Sequence, residues 1–392
     1  MYTATKRPRL GFLEGIRGLC ALYVALLHTL LFTGHGLAAE TYSPVFRALA
    51  YVLSFGHYAV AVFIVLSGFC LTIPVALAPT RTLRGGFRDY IVRRARRILP
   101  PYYAALALFV TLIVLVPVLS TPAGTAWDSK LPLTWDALVS HLLLIHNIYP
   151  GWMFKIDGPM WTVATEWQIY FLFPLLLLVW RRLNLAATVA FALSLSIVPQ
   201  LLLPSQLSLR WLHPWYFGLF ALGMAGAVVA FSPSPFWERV RRLPWRPLAG
   251  FGTALVLATL VVGDTYLRLP TYLNETLIGF GVGLILVHYT LTERAGRASP
   301  RLNFLGCRPI VLLGTFSYSI YLVHSPLLGL FNLLTLHLTL SSDVRFLMML
   351  FVALPVVLGC SYLFYRVVER RFLPGHLRAP KPRPIPLTTA RS

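Results

Sequence analysis

Apolar residues occur along this 392-residue chain in long blocks that are separated by short polar segments. Many blocks are about 20 residues long, the length at which an α-helix crosses the hydrocarbon core of a bilayer. The pattern predicts spans at about 10–33, 53–78, 100–120, 160–180, 185–204, 212–231, 247–264, 271–291, 310–334 and 344–366. We therefore expect an all-α integral membrane protein, a bundle of about ten transmembrane helices.

The positions of the basic residues predict how this bundle is oriented. Alternate connecting segments, taken as the inner ones, hold 27 of the 34 Lys and Arg residues. The segments taken as the outer ones hold only six, and the remaining one, Arg17, lies within the first span. Because inner loops are enriched in Lys and Arg, this alternation supports ten spans and predicts that both termini are cytoplasmic.

Composition agrees with a membrane protein. Hydrophobic residues make up 57% of the chain and charged residues 12%, with a mean hydropathy of +0.71. Soluble domains carry about 25% charged residues, so this chain has too few to cover a water-facing surface. The net charge of +21 follows from the inner loops and does not indicate a nucleic-acid partner. The four cysteines lack the spacing of a zinc site or a disulfide framework, and no metal is expected.

The predicted domain organisation is simple. Residues 1–372 form one ten-helix domain, whose first span is retained rather than cleaved as a signal peptide. Residues 373–392 are rich in Pro and basic residues and are expected to form a disordered cytoplasmic tail. In the outer segment 121–159, the stretch HLLLIHNIYP (141–150) is too short to span and is expected to be interfacial or re-entrant.

Ionisable residues inside predicted spans are functional candidates, because burying them in a membrane is costly. The first pair is Arg17 and His28, eleven residues apart in span one. In a helix they lie within about 20° of one face and about 16 Å apart along the axis. Imidazole suits proton transfer near neutral pH. The structural alternative pairs Arg17 with Glu14 and leaves His28 hydrogen-bonded to a neighbouring helix.

The second candidate is Glu166, in PMWTVATEWQIYFLFP (159–174). It is predicted about 9 Å below the outer end of span four, a depth like that of His28. Thr162 and Tyr170, one turn away on either side, share its face and are candidates for a common polar pocket. The alternative is a structural carboxylate paired with a neighbouring helix.

The third candidate is a cluster of arginines just inside the membrane, in YIVRRARRILPPYY (90–103). It contains two overlapping pairs with RxxR spacing, Arg93 with Arg96 and Arg94 with Arg97. Guanidinium groups bind phosphate in bidentate fashion, so the cluster predicts an anion site. It also serves as a positive-inside anchor, and the sequence leaves both readings open.

Two further histidines are weaker candidates for the outer pocket. His324, in YSIYLVHSP (318–326), lies deep in span nine, where a packed and hydrogen-bonded histidine is the alternative. His57, in FGHYAVAVFIVLSGF (55–69), begins span two and would face the outer pocket or solvent.

Taken together, these segments resemble the acyltransferase-3 family, membrane enzymes that O-acylate sugars and other hydroxyl compounds, mostly in bacteria. The resemblance covers about residues 10–372. LEGIRGLCALYVALLH is similar to the family's opening motif, an Arg followed after ten residues by His. Further blocks follow in the family's order: VFIVLSGF, RRARRILPPYY, PMWTVATEWQIYFLFPLL, FSYSIYLVHSPL and YRVVERRF.

The resemblance implies a ten-helix fold in the bacterial inner membrane and a cytoplasmic acyl-CoA donor, by default acetyl-CoA. It implies transfer through the membrane to a hydroxyl of a glycan or lipid-linked sugar at the outer face. By the same resemblance, Arg17 and His28 match the essential pair, Glu166 the acidic residue of span four, and the arginine pairs the proposed donor site. The chain departs from the family at Ala61, Ala164 and Trp167, where polar residues are common.

The residues themselves suggest one mechanism. The inner arginines would hold the phosphates of coenzyme A, and the pantetheine arm would follow the Arg17–His28 face. His28 would then act as general base on the acceptor hydroxyl, with Glu166 orienting the imidazole or stabilising its charge. Alternatively, His28 would carry the acyl group transiently.

Two other functions remain open at this point. A transporter of a glycan or small acid would suit the buried ionisable residues, although no paired broken helices in two matching halves are evident. A membrane scaffold without chemistry would tolerate replacement of Arg17, His28 and Glu166. Acyl-CoA, a hydroxyl acceptor and membrane lipid are the expected partners.

Overall fold

The computed structural model describes residues 10–33, 42–203, 210–297 and 299–373, and every regular element in these ranges is helical. Nine helices in them are long and apolar enough to cross a membrane. They are α1 (Gly11–Leu31), α2 (Pro44–Ala76), α3 (Gly86–Leu115), α4 (Met160–Arg182), α5 (Leu185–Leu202), α6 (Arg210–Phe231), α7 (Trp245–Tyr266), α8 (Thr271–Arg294) and α10 (Ser342–Arg371). The tenth candidate, α9, is a bent pair, Arg308–Thr315 followed by Ser317–Leu334.

The prediction of an all-helical, multi-pass membrane protein is thus confirmed. The number of spans is nine, or ten if the bent pair crosses as one, within the ranges that the structure describes. The side of the membrane on which each terminus lies stays a prediction. The basic residues before Leu10 and the predicted tail 373–392, apart from Leu373, fall outside the described residues.

Two helix boundaries differ from the predicted ones. α2 begins at Pro44 and passes through a 3₁₀ turn at Phe55–Tyr58 before its membrane-spanning part. α3 begins at Gly86 rather than near residue 100, so the arginine cluster forms the first turns of a long helix. Hydropathy misses such extensions because it detects the apolar part of a helix and not the polar turns that continue it.

Glycines allow the central helices to approach closely. A methyl group added at Gly68 of α2 would lie 2.0 Å from the carbonyl oxygen of Phe220 in α6. One added at Gly223 of α6 would lie 2.0 Å from the carbonyl oxygen of Val65. Lipid tails are as apolar as the side chains, so the hydrophobic effect does not hold membrane helices together. Small residues at helix contacts instead allow close van der Waals packing. The pair α2–α6 therefore forms the centre of the bundle.

The break in α9 determines where its polar residues lie. The two helical parts meet at Phe316 with a bend of 71°. The first part packs against α1, where a methyl group added at Gly314 would lie 2.0 Å from the carbonyl oxygen of Glu14. The second part continues beside the rest of α1. As a result, both halves of α9 follow α1 along the length that carries Arg17 and His28.

The segment 121–159, here called the outer cap, folds over the ends of the spans. Its helical pieces are too short to cross a membrane: Ala126–Lys130, Trp135–Leu142, His146–Ile148 and Pro150–Met153. The hydroxyl of Tyr102 in α3 donates a hydrogen bond of 2.9 Å to the carbonyl of His141. Trp127 is buried, and its indole N–H donates to the carbonyl of Leu119 at 2.9 Å. The expectation that HLLLIHNIYP does not span is confirmed.

Candidate active site

Two histidines from distant parts of the chain meet near the C-terminal end of α1, the end predicted to lie at the outer face. His28 of α1 places Nδ1 2.9 Å from Nε2 of His324 in α9. The same Nδ1 lies 3.0 Å from the carbonyl oxygen of Val24, one turn earlier in α1. His324 Nδ1 lies 2.8 Å from the carbonyl oxygen of Ile320 and 3.0 Å from that of Tyr321. The pair therefore links α1 and α9 directly.

These contacts assign the protons of both rings. A carbonyl oxygen only accepts hydrogen bonds, so each Nδ1 that faces one carries a hydrogen. With both rings neutral, the single hydrogen on His28 Nδ1 is shared between the carbonyl oxygen of Val24 and His324 Nε2, which therefore acts as an acceptor. His28 Nε2 is left with a free lone pair. This is the tautomer that a general base requires, and the neighbouring ring and the helix backbone hold it in place.

The two rings differ in exposure. His324 is fully buried, at 0% exposure, whereas His28 is only partly buried. The ring of Phe32, with its centroid 6.5 Å from that of His28, packs one turn further along α1. His324 is thus a fixed support, and His28 keeps part of its surface accessible.

Thr162 lies close to this pair, as its predicted place in the outer pocket requires. Its hydroxyl donates a 2.5 Å hydrogen bond to the hydroxyl of Tyr321, three residues before His324 in α9. Both residues are buried. The bond joins α4 to α9 on the side of the histidine pair that faces the centre of the membrane.

Glu166 is held by other partners than the predicted one. It accepts a 2.6 Å hydrogen bond from Ser67 of α2 and another from Tyr170, one turn later in α4. The shared face of Glu166 and Tyr170 is as expected. However, no hydrogen bond among the described residues joins Glu166 to His28, and the residue that orients His28 is His324.

The reason is depth. Thr162 is level with Tyr321, and Glu166 lies one helical turn further from the histidines, so it is about 10 Å from their level. Equal distance from two helix ends does not give equal depth here. Met160, the first residue of α4, is already fully buried under the outer cap, so the first turns of α4 lie level with Tyr321 rather than with the end of α1.

Arg17 forms a salt bridge of 2.9 Å with Glu14, the structural pairing that the sequence left open. Its guanidinium is also close enough to Glu166 for the two charges to interact. The side chain of Arg17 is partly buried, not fully buried. Arg17 and Glu166 therefore belong to one inner cluster, separate from the histidines.

The two RxxR pairs of α3 differ in their surroundings. Arg94 and Arg97 are partly buried, and the charge of Arg97 interacts with those of Arg17 and Arg94. Arg93 and Arg96 are exposed, and Arg93 donates a 2.8 Å hydrogen bond to the carbonyl of Arg84. Thus one pair faces the bundle beside Arg17, and the other faces away from it.

His57 is placed apart from the histidine pair. It is exposed, its Nδ1 lies 2.8 Å from the carbonyl of Ser54, and its ring lies against that of Tyr58, with a centroid distance of 3.9 Å. The hydroxyl of Tyr58 donates to Asp264 at 2.5 Å. Among the residues that the structure describes, no hydrogen bond connects His57 with His28 or His324.

The sequence analysis missed two charged residues of the outer cap, Lys130 and Asp157. Lys130 is 8% exposed and Asp157 0%. Burial lowers the pKa of Lys130 and raises the pKa of Asp157 well above its usual range, while the opposite charge of the partner counteracts both shifts. The only signal in the sequence was Lys130 itself, a basic residue in a segment predicted to lie on the outer side, where basic residues are few.

Comparison with known proteins places the chain in a family. The family whose description is "Acyltransferase domain" matches residues 10–366, and the chain therefore belongs to this acyltransferase-3 family. This confirms the resemblance drawn from the six sequence blocks.

Individual relatives are more distant. A Bacillus subtilis (strain 168) protein named "Putative peptidoglycan O-acetyltransferase YrhL" is 27% identical over 73% of this chain and 47% of its own length. The chain thus spans about half the length of that relative. "Acyltransferase MdmB" of Streptomyces mycarofaciens is 25% identical over 81% of this chain and 78% of its own. No solved structure matches.

Proposed function

We propose that this member of the acyltransferase-3 family moves an acyl group from cytoplasmic acyl-CoA to a hydroxyl group at the outer face of the bacterial inner membrane. Acetyl is the proposed acyl group, and a glycan or lipid-linked sugar is the proposed acceptor. The observation that carries the proposal is the 2.9 Å contact between His28 and His324, which leaves His28 Nε2 as a free base.

In the proposed reaction, His28 Nε2 removes the proton of the acceptor hydroxyl as its oxygen attacks the thioester carbonyl. The carbon–sulfur bond breaks, and the proton passes from His28 to the departing coenzyme A thiolate. While His28 is positively charged, its Nδ1–H still donates to His324 Nε2, which stabilises the charge. His324 therefore acts through His28, as a positioning residue.

Donor binding is proposed at the inner cluster. Arg94 and Arg97 face the bundle beside Arg17, so three guanidinium groups converge there. Phosphates of coenzyme A are anions that such a group of arginines binds well. From this cluster to His28 the face of α1 runs about 16 Å, which the extended pantetheine arm would follow. Glu166, Ser67 and Tyr170 lie beside this path.

The same nitrogen would carry the acyl group if transfer takes two steps, with His28 Nε2 attacking the thioester first. Rapid quenching of protein mixed with labelled acetyl-CoA separates the two routes. Label on the protein, lost again on addition of an acceptor, indicates the two-step route. Its absence during turnover indicates direct transfer.

The experiment that tests the proposal measures acetyl transfer by purified protein in detergent with labelled acetyl-CoA. We expect His28→Ala to lower the rate about 10²- to 10⁴-fold, the usual contribution of a general base. His337→Ala is the matched control, because His337 is exposed in the loop after α9. Wild-type rates in folded His28→Ala would contradict the proposed role of His28. Flux of a glycan or small acid without acetyl-CoA consumption would favour a transporter.

A further inference from the structure

Lys130 and Asp157 come from two parts of the outer cap that are joined through their backbones. The N–H of Ile156 donates a 3.2 Å hydrogen bond to the carbonyl of Lys130, which places the residue before Asp157 against Lys130. A methyl group added at Gly158 would lie only 2.7 Å from the Lys130 ammonium nitrogen. The glycine after Asp157 therefore makes room for that ammonium group.

The two charges are neighbours but do not form a salt bridge. Both carboxylate oxygens of Asp157 are buried and have no hydrogen-bond partner among the described residues. Lys130 donates a 3.0 Å hydrogen bond to Ser129, and its ammonium lies 5.7 Å from the centroid of the Phe154 ring. A buried carboxylate without partners is costly, so a group that donates hydrogen bonds to Asp157 would stabilise this arrangement.

The helical turn that ends at Lys130 packs against the second part of α9, which carries His324: a methyl group added at Gly329 would lie 2.6 Å from the ring of Trp127. Lys130 is close enough to His28 and His324 for its charge to interact with both imidazoles. Asp157 is likewise close to Tyr321, which lies one helical turn before His324 in α9. A molecule bound between Lys130 and Asp157 would therefore be adjacent to a molecule, or a part of the same molecule, bound at His28.

A hydroxyl group meets both requirements at once. Its oxygen accepts a hydrogen bond from the ammonium of Lys130, and its hydrogen is donated to the carboxylate of Asp157. The proposed donor would reach His28 from the arginine cluster, with its amide groups on that side, whereas Lys130 and Asp157 belong to the outer cap, which points to the acceptor rather than the donor. The hydroxyl that reacts must face His28, so the bridging hydroxyl is a second one on the same acceptor.

We propose that Lys130 and Asp157 bind a second hydroxyl of the acceptor and so select compounds with neighbouring hydroxyl groups over simple alcohols. This rests on the proposed function, because the bound molecule is the acceptor that His28 deprotonates. Gly158 contributes by allowing the Lys130 ammonium to approach the backbone.

The test is a competition between two alcohols on one ring. Purified protein receives labelled acetyl-CoA with equal amounts of cis-cyclohexane-1,2-diol and cyclohexanol, and the ratio of the two acetyl esters is measured. The wild type should favour the diol about tenfold or more, the factor that one hydrogen bond to a charged group provides. The ratio is internal to each sample, so a smaller yield of folded protein does not change it.

Variants then locate the preference. Lys130→Met and Asp157→Asn should lower the ratio to the statistical value set by the number of hydroxyl groups. Gly158→Ala, which displaces the ammonium without removing it, should give an intermediate ratio. Asp136→Asn is the matched control for Asp157→Asn, because Asp136 belongs to the same cap but is exposed and accepts a hydrogen bond from Trp152. It should keep the wild-type ratio.

The outcomes separate the two proposals. If the wild type turns over acetyl-CoA but esterifies the alcohols in the statistical ratio, or esterifies neither, the hydroxyl site is wrong and the proposed function stands. A diol preference that persists in Lys130→Met and Asp157→Asn also overturns the site. If the wild type does not turn over acetyl-CoA at all, the proposed function fails and this proposal fails with it.

Discussion

The two ends of the α1 face hold their polar residues in opposite ways. At the inner end, Arg94 and Arg97 are charged, partly exposed and close to a third cation, Arg17. At the outer end, His28 and His324 form a neutral pair whose protons are assigned by three backbone carbonyls and by each other. The inner end has an excess of positive charge, since three guanidinium groups lie near Glu14 and Glu166, and the outer end presents a fixed geometry.

This difference corresponds to different chemical tasks. Several cations at one place repel each other unless an anion binds between them, so the inner cluster is suited to binding phosphate. A base must instead present one lone pair in one direction, which a network of hydrogen bonds secures. The comparison predicts that substitutions at the two ends will affect different kinetic constants.

The largest effect we expect beyond His28 itself is at His324. His324→Leu removes one of the two acceptors that hold His28 Nδ1–H and leaves the carbonyl of Val24. We expect kcat to fall about 10- to 100-fold, as when groups that orient a metal-binding histidine are removed. Affinity for coenzyme A should stay the same, because His324 is not part of the inner cluster. Steady-state kinetics and isothermal titration with coenzyme A measure both.

A conservative variant sharpens this prediction. In His324→Gln the side-chain carbonyl can still accept from His28 Nδ1–H, so part of the lost rate should return. If His324→Leu retains full kcat, the tautomer argument is contradicted. Equal losses in His324→Leu and His324→Gln would indicate that packing, and not the hydrogen bond, explains the effect.

The second prediction contrasts the two arginine pairs of α3. The double variant Arg94→Gln/Arg97→Gln should raise the KM for acetyl-CoA about tenfold to a hundredfold, because it removes hydrogen bonds to a charged ligand from the inward pair. Arg93→Gln/Arg96→Gln removes the same total charge from the exposed pair and should change KM much less. If both doubles change KM equally, the cluster acts only through its net charge.

The smallest effect is expected at Glu166. Glu166→Gln keeps the shape and the hydrogen bonds to Ser67 and Tyr170 but removes the negative charge near Arg17. We expect a change of a few fold in kcat and KM together. A loss as large as that of His28→Ala would show that Glu166 acts on His28 after all, and would restore the role first expected from the sequence. Tyr170→Phe is the companion variant that removes only a hydroxyl.

The sequence was sufficient for the features that depend on local composition. Blocks of apolar residues placed the spans, and the Arg17–His28 spacing is kept because α1 is continuous from Gly11 to Leu31. The RxxR cluster was found, but not which of its pairs faces the bundle. That depends on how α3 rotates against its neighbours, and both pairs have the same spacing along the helix.

The pairing of His28 with His324 could not be predicted, because the residues are 296 positions apart and the bend at Phe316 determines how the two halves of α9 follow α1. The depth of Glu166 was misjudged for a related reason. The outer cap buries the beginning of α4, and the hydropathy of α4 alone does not predict this burial. The burial of Lys130 and Asp157 could not be predicted, because charged residues between spans are ordinarily exposed.

The central claim is that the arginine cluster binds the donor and the histidine pair performs the transfer. The most direct test measures coenzyme A affinity and acetyl transfer on the same purified samples of Arg94→Gln/Arg97→Gln and His28→Ala. We predict that the arginine variant loses affinity but reaches transfer at high acetyl-CoA, whereas His28→Ala binds coenzyme A normally and transfers nothing measurable above background. Normal transfer by His28→Ala, or unchanged affinity in the arginine variant, would contradict the account.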